Sequence, residues 1–228
     1  MWLTDQRAIA VLCGLSLGVF AAFSVWPGLD LSVTNAFFNG GTFPVETYWG
    51  IEPLRLALWD TSVGMAVFAL GMTIATAFLR APLLGLSVRP WGFIILTFVL
   101  GPGLLVNGVL KEHWGRARPS DTVNFGGTAQ FTPPYQITDQ CASNCSFVSG
   151  EAAGSTALAI ALLLILAANR ARLPHWRFRL GQGIAVAVPV FTAWQRVAVG
   201  RHFLSDVLLA ALFVALIAAV LARAMRLR

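Results

Sequence analysis

Six apolar runs decide what this chain can fold into: 8–25, 59–78, 91–110, 149–168, 180–199 and 203–222. Each is free of charge except near its ends. Crossing the ~30 Å hydrocarbon layer of a bilayer takes about 20 apolar residues in a helix. Inside lipid every backbone N–H and C=O must be paired within the protein, so only helices and closed barrels span it. The runs are too long and too rich in Ala and Leu for the alternation of a barrel strand. The expectation is an all-α integral membrane protein, a single domain over residues 1–228 with six transmembrane helices. Composition agrees. Charged residues are 11% of the chain and hydrophobic ones 57%, whereas a soluble domain carries roughly 25% charged residues. The net charge of +6 is no nucleic-acid footprint, because there is no polar helix or soluble domain to carry a basic stripe. Gly101-Pro102-Gly103 predicts a kink in the third run, and Pro189 lies inside the fifth. The first run is read as retained, since its flank is only weakly positive (Arg7 beside Asp5) and it is longer than a signal core.

Orientation follows from Lys and Arg, which favour the cytoplasmic side. Six crossings put both termini on one side. That side holds Arg7, Arg80, Arg89, Arg170, Arg172, Arg177, Arg179, Arg223, Arg226 and Arg228, ten of the sixteen basic residues. Both termini are therefore expected in the cytoplasm of a bacterial inner membrane. The long connections 26–58 and 111–148 then face outward, and long connections in compact proteins are often functional.

Three polar stretches fall at outward-facing ends of the runs. The first is Lys111-Glu112-His113-Trp114-Gly115-Arg116-Ala117-Arg118-Pro119. Arg matches a phosphate with a planar fork of donors, and Lys adds a point charge. The same stretch also reads as a juxtamembrane anchor for lipid headgroups. The second is Cys141-Ala142-Ser143-Asn144-Cys145-Ser146-Phe147-Val148-Ser149-Gly150-Glu151. Cys141 and Cys145 suit a small disulfide ring in an oxidising compartment, and a structural zinc site lacks its remaining ligands. Cys13, alone in the first run, reads as a small core residue. Ser149 is a good helix N-cap and Gly150 lets a ligand approach the backbone. The free amides there would favour an anion, or the pair is a plain cap with Glu151 in its first turn. The third stretch is Gln195-Arg196-Val197-Ala198-Val199-Gly200-Arg201-His202-Phe203-Leu204-Ser205-Asp206. His202 and Asp206 are four apart, the spacing of one helix face, where a carboxylate would orient a nucleophilic imidazole or make a structural hydrogen bond with it. Gly200 is expected to break the chain between the last two runs and bring Arg196 near His202.

Together these stretches offer Lys111, Arg118, Arg196, the Ser149 and Gly150 amides and His202 around one point. The pattern resembles the type-2 phosphatidic acid phosphatase superfamily, whose signature runs K-x6-RP, then PSGH, then SR-x5-H-x3-D. Lys111 with Arg118-Pro119 matches the first part. Arg196, His202 and Asp206 match the third, with Gln195 in place of Ser. The second departs, reading Val148-Ser149-Gly150-Glu151, with Glu in place of His. The wording His113-Trp114-Gly115-Arg116 and Phe147-Val148-Ser149-Gly150 is most similar to bacterial lipid A 1-phosphatases and their relatives. The soluble vanadate-dependent haloperoxidases share the pocket but not the membrane spans.

The resemblance implies that His202 attacks phosphorus and forms a phosphohistidine, and that Asp206 orients it. Lys111, Arg118, Arg196, Ser149 and Gly150 would hold the phosphoryl oxygens, the electrostatic part of phosphoryl transfer. No metal or other cofactor is implied, since fixed cations fill that role. Glu151 would take the family histidine's part as the acid for the leaving oxygen, with His113 as an alternative, and Arg116 and Arg201 are auxiliary cations. Glu151 suits a substrate whose leaving oxygen is less basic than a simple alcohol. The expected partner is a phospholipid or glycolipid phosphate in the outer leaflet, of the lipid A 1-phosphate type. Undecaprenyl diphosphate or phosphatidylglycerol phosphate is the alternative substrate, and a non-catalytic relative that binds anionic lipid the alternative function.

Overall fold

A computed structural model describes residues 5–227; Arg228, counted above among the cytoplasmic cations, lies outside them. The described residues form a helical bundle with no strand. Its helices are α1 (Gln6–Val25), α2 (Gly28–Asn35), α3 (Ile51–Leu79), α4 (Val88–His113), α5 (Gly150–Ala168), α6 (His175–Ala198) and α7 (Leu204–Ala224). Five of them, α1, α3, α4, α5 and α7, are long and apolar enough to cross a membrane. Helix α6 has 24 residues, about 36 Å at 1.5 Å per residue, but carries Arg177, Arg179, Gln182, Gln195 and Arg196 and is the least apolar of the long helices.

Helix α3 starts at Ile51, inside the stretch expected to be an outer loop. Pro53 sits in its first turn, where a missing N–H costs nothing, and Glu52 pairs with Arg55 there. The rest of the 26–58 connection holds α2 and a 3-10 turn, Pro44–Thr47. Helix α4 does not break at Pro102. It widens into a π-helical stretch, Val99–Leu110, which accommodates the absent donor of Pro102 within a continuous helix. Lys111 therefore sits on the last turn of α4.

Helix α5 is the centre of the bundle. Its buried face is mostly small (Ala152, Ala153, Gly154, Ser155, Ala157, Ala161), which lets α3, α4, α6 and α7 pack closely around it. Ser149 caps it as expected, accepting a hydrogen bond from the Ala152 N–H at 3.3 Å. Helix α7 buries Ala210, Ala218, Ala219 and Ala222 and packs against α1. The outer surface exposes Leu17, Val67, Ile74, Phe78 and Val190, a surface suited to lipid rather than water. Trp26, Tyr48 and Trp49 are exposed near the end of α1 and the start of α3, where aromatic rings sit at membrane interfaces.

Candidate active site

Because the helices alternate in direction, the end of α4, the starts of α3, α5 and α7 and the end of α6 gather at one end of the bundle. They enclose a cavity of about 720 Å³ lined by Arg55, Lys111, Arg118, Arg196, Arg201, His202 and Gly150, with Glu46, Glu52, Glu151, Asn107, Asn144 and Gln195 among its other polar groups. The three separated stretches of sequence thus meet.

His202 lies in the turn between α6 and α7, one residue before the cap of α7 and not on the helix itself. The turn forms because Gly200 adopts φ +66, the left-handed conformation that ends a helix. A side chain at Gly200 would also meet the Phe43 ring at 2.4 Å. The carbonyl of Arg196 accepts from the N–H groups of both Arg201 and His202, at 3.0 and 3.1 Å, which places Arg196 beside the imidazole. His202 is 3% exposed. Its Nδ1 is 2.8 Å from the Ser146 carbonyl oxygen. A carbonyl only accepts, so Nδ1 carries the proton and Nε2 keeps its lone pair. Burial pushes the imidazole well below the ordinary histidine range, with Lys111, Arg118 and Arg196 adding to the effect.

Asp206 does not hold His202 directly. Its nearer oxygen is 4.0 Å from Nδ1, because His202 precedes the helix and the helical four-residue spacing does not apply. Asp206 acts through Ser146, whose hydroxyl donates to it at 2.6 Å while the Ser146 carbonyl takes the imidazole. The other Asp206 oxygen accepts from Arg116 at 2.7 Å. Arg116, expected as an auxiliary phosphate ligand, is fully buried and outside the cavity. It bridges Asp206 to Asp30 at 2.8 Å, donates to the Thr132 carbonyl at 2.8 Å and lies over the Phe203 ring at 4.4 Å.

Lys111 donates to the Asn144 side-chain oxygen at 2.8 Å, and Arg118 to the Asn144 carbonyl at 2.8 Å. Gly150 lines the cavity, and a Cβ there would come within 2.8 Å of Asn107 Oδ1. Ser149 does not serve as a phosphate ligand in this arrangement. It is fully buried, and its N–H donates to the Asp206 carbonyl at 3.3 Å. Glu151 Oε1 accepts from Arg55 at 2.9 Å and from Arg196 at 3.1 Å. Arg201 pairs with Glu46 at the exposed rim. His113 is exposed and does not line the cavity, which removes it as a proton donor there. Cys141 and Cys145 are bonded, with Cα atoms 5.7 Å apart, and Cys13 is free.

Sequence reasoning missed Asp30, Arg55, Asn144 and Ser146. Only the charge of Asp30 and Arg55, set in an apolar stretch or beside one, was a signal that could have found them.

A buried neutral imidazole facing a ring of fixed cations is suited to attack on a phosphoryl group. The PAP2 superfamily model matches residues 91–228. A protein named lipid A 4'-phosphatase from Rhizobium leguminosarum is 32% identical over 216 residues, covering 84% of each chain. Another of that name from Francisella tularensis subsp. novicida is 30% identical over 217 residues, covering 90% of each. The fold is similar to that of a crystal structure of a transmembrane PAP2 type phosphatidylglycerolphosphate phosphatase from Bacillus subtilis, with a TM-score of 0.63, 19% identity and 98% of each chain covered. With motif spacing, fold and relatives in agreement, the chain belongs to the PAP2 superfamily.

Proposed function

We propose that this protein is a membrane lipid phosphatase that removes the 4'-phosphate of lipid A or a similar phosphoglycolipid through a phosphohistidine. The observation that carries the mechanism is His202, with Nδ1 committed to the Ser146 carbonyl, beside Lys111, Arg118 and Arg196 in one cavity. The motif wording, and the expectation that Glu151 suits a leaving oxygen less basic than a simple alcohol, favoured the 1-position; the names of the relatives favour the 4'-position, whose leaving oxygen is that of a secondary alcohol. In this reading α6 is a sixth crossing, with both termini in the cytoplasm and the cavity on the periplasmic side; the distribution of Lys and Arg supports it.

In the first step Nε2 of His202 bonds to phosphorus as the bond to the lipid oxygen breaks, and the lipid leaves as an alcohol. In the second, water attacks phosphorus and gives a proton to the Glu151 carboxylate, the P–N bond breaks and inorganic phosphate departs. Lys111, Arg118, Arg196 and the Gly150 amide stabilise the charge on the phosphoryl oxygens in both steps. The chemistry requires no metal. The test is phosphate release by detergent-purified protein in EDTA, from lipid A carrying only the 1- or only the 4'-phosphate, undecaprenyl diphosphate, phosphatidylglycerol phosphate and phosphatidic acid. Release from the 4'-form is the expected result. Release from the 1-form alone, or from a diphosphate alone, reassigns the substrate. Binding without release from any of them identifies a non-catalytic anionic-lipid receptor.

Glu151 is proposed as the acid. Its carboxylate is held by Arg55 and Arg196. An incoming phosphate draws both guanidiniums toward itself and frees the carboxyl to serve the leaving oxygen. A 4'-ester leaves as a secondary alcohol and needs a proton; a diphosphate, with its less basic leaving oxygen, needs it less. Glu151→Gln is therefore expected to slow lipid A hydrolysis by about 10²-fold or more, and diphosphate hydrolysis by much less. Equal losses in kcat on the two substrates would reduce Glu151 to an anchor for Arg196.

A further inference from the structure

Three consecutive residues outside the family motifs touch four groups assigned to the reaction: Lys111, Arg118, His202 and Asp206. Asn144 receives Lys111 on its side-chain oxygen and Arg118 on its carbonyl. The Cys145 N–H donates to the Lys111 carbonyl at 3.4 Å. Ser146 accepts from His202, donates its hydroxyl to Asp206, and donates its N–H to the Arg116 carbonyl at 2.8 Å. We propose that Asn144 is a positioning residue for the two cations that receive the phosphoryl group, and that the Cys141–Cys145 bridge anchors it; this rests on the active-site reading above.

The chemistry favours an amide at this place. Lys111 and Arg118 repel each other, and each has a long side chain with many rotamers. An acid between them would hold them, but it would cancel the charge that phosphate needs and compete with phosphate for the same donors. A neutral oxygen orients each donor and leaves its charge intact. One residue supplies two such oxygens because Asn144 sits at φ +49, a left-handed conformation that Asn and Asp tolerate better than most residues. The five-residue ring closed by the bridge holds that conformation. Cys145 is 1% exposed, so one end of the ring is fixed in the protein while Asn144 faces the cavity.

The test measures KM and inhibition by orthovanadate, a phosphate analogue, alongside thermal unfolding of each variant in detergent. Asn144→Gly keeps the backbone and its carbonyl and removes the amide. It should raise the vanadate Ki about tenfold, the scale of one hydrogen bond to a charged group. Asn144→Asp has the same shape and the same tolerance of positive φ, so a merely structural role would survive it. The positioning role predicts a larger rise, roughly a hundredfold, because the new carboxylate competes with the anion. The double variant Cys141→Ser/Cys145→Ser should match Asn144→Gly. Wild-type Ki in both Asn144 variants would overturn the proposal, and wild-type Ki in the double cysteine variant would overturn the anchoring by the bridge. If the wild-type protein neither hydrolyses a lipid phosphate nor binds vanadate, the active-site reading itself has failed.

Discussion

His202→Ala is expected to lower phosphate release by about 10⁴-fold or more, the loss typical of removing a covalent nucleophile. Cavity, cations and fold all remain in the variant, so thermal unfolding should stay close to wild type while turnover disappears. A variant that keeps more than about 1% of wild-type kcat would exclude His202 as the nucleophile. The imidazole also sets the pH profile. Only the neutral ring attacks, and its pKa is depressed by burial first and then by Lys111, Arg118 and Arg196, with Asp206 4.0 Å away on the other side. A depressed pKa keeps the reactive form present as the solution is acidified. The acid limb of kcat/KM should therefore lie well below the ordinary histidine value of about 6.5. An acid limb at or above that value would contradict the buried, cation-flanked environment.

The largest effect on stability is expected at Arg116. Its guanidinium is the common partner of Asp30 and Asp206, and all three side chains are fully buried. Burial raises the Asp30 carboxyl above its usual range and Arg116 opposes that rise. Breaking a buried ion pair from one side leaves charge without a partner, at a cost of about 3–5 kcal/mol. Arg116→Leu strands two carboxylates, so thermal unfolding in detergent should fall by roughly 10 °C. Activity should fall with it, because Asp206 holds the Ser146 hydroxyl and Ser146 holds His202. Adding Asp30→Asn to Arg116→Leu removes one of the stranded charges and should recover part of the loss. An unchanged unfolding temperature in the single variant would refute the structural role of the triad.

What was legible in the sequence was what is local in the chain. An apolar run of helical length announces itself, so the bundle was legible, with boundaries displaced where charged residues such as Glu52 and Arg55 belong to a helix end. Lys111 and Arg118, or Arg196 and His202, are close enough in sequence for spacing to carry meaning. Asp30 meets Arg116 across 86 residues and Arg55 meets Glu151 across 96, and no periodicity links such pairs. Asn144 and Ser146 lie in an irregular connection, where contacts are set by tertiary packing. The direct contact expected between Asp206 and His202 failed for a related reason: a four-residue spacing implies a shared face only when both residues are in the helix.

The lining of the cavity has a consequence for turnover. Arg55, Lys111, Arg118, Arg196 and Arg201 share it with Glu46, Glu52 and Glu151, which leaves two positive charges in excess while His202 is neutral and Glu151 ionised. A phosphate monoester dianion brings the filled chamber to within one charge of neutrality, whether Glu151 is ionised or carries the proton for the leaving oxygen. Once hydrolysis has moved those two charges to inorganic phosphate, the dephosphorylated lipid has lost its electrostatic attachment to the chamber. It is free to diffuse back into the leaflet, while the ion remains as the product held by charge.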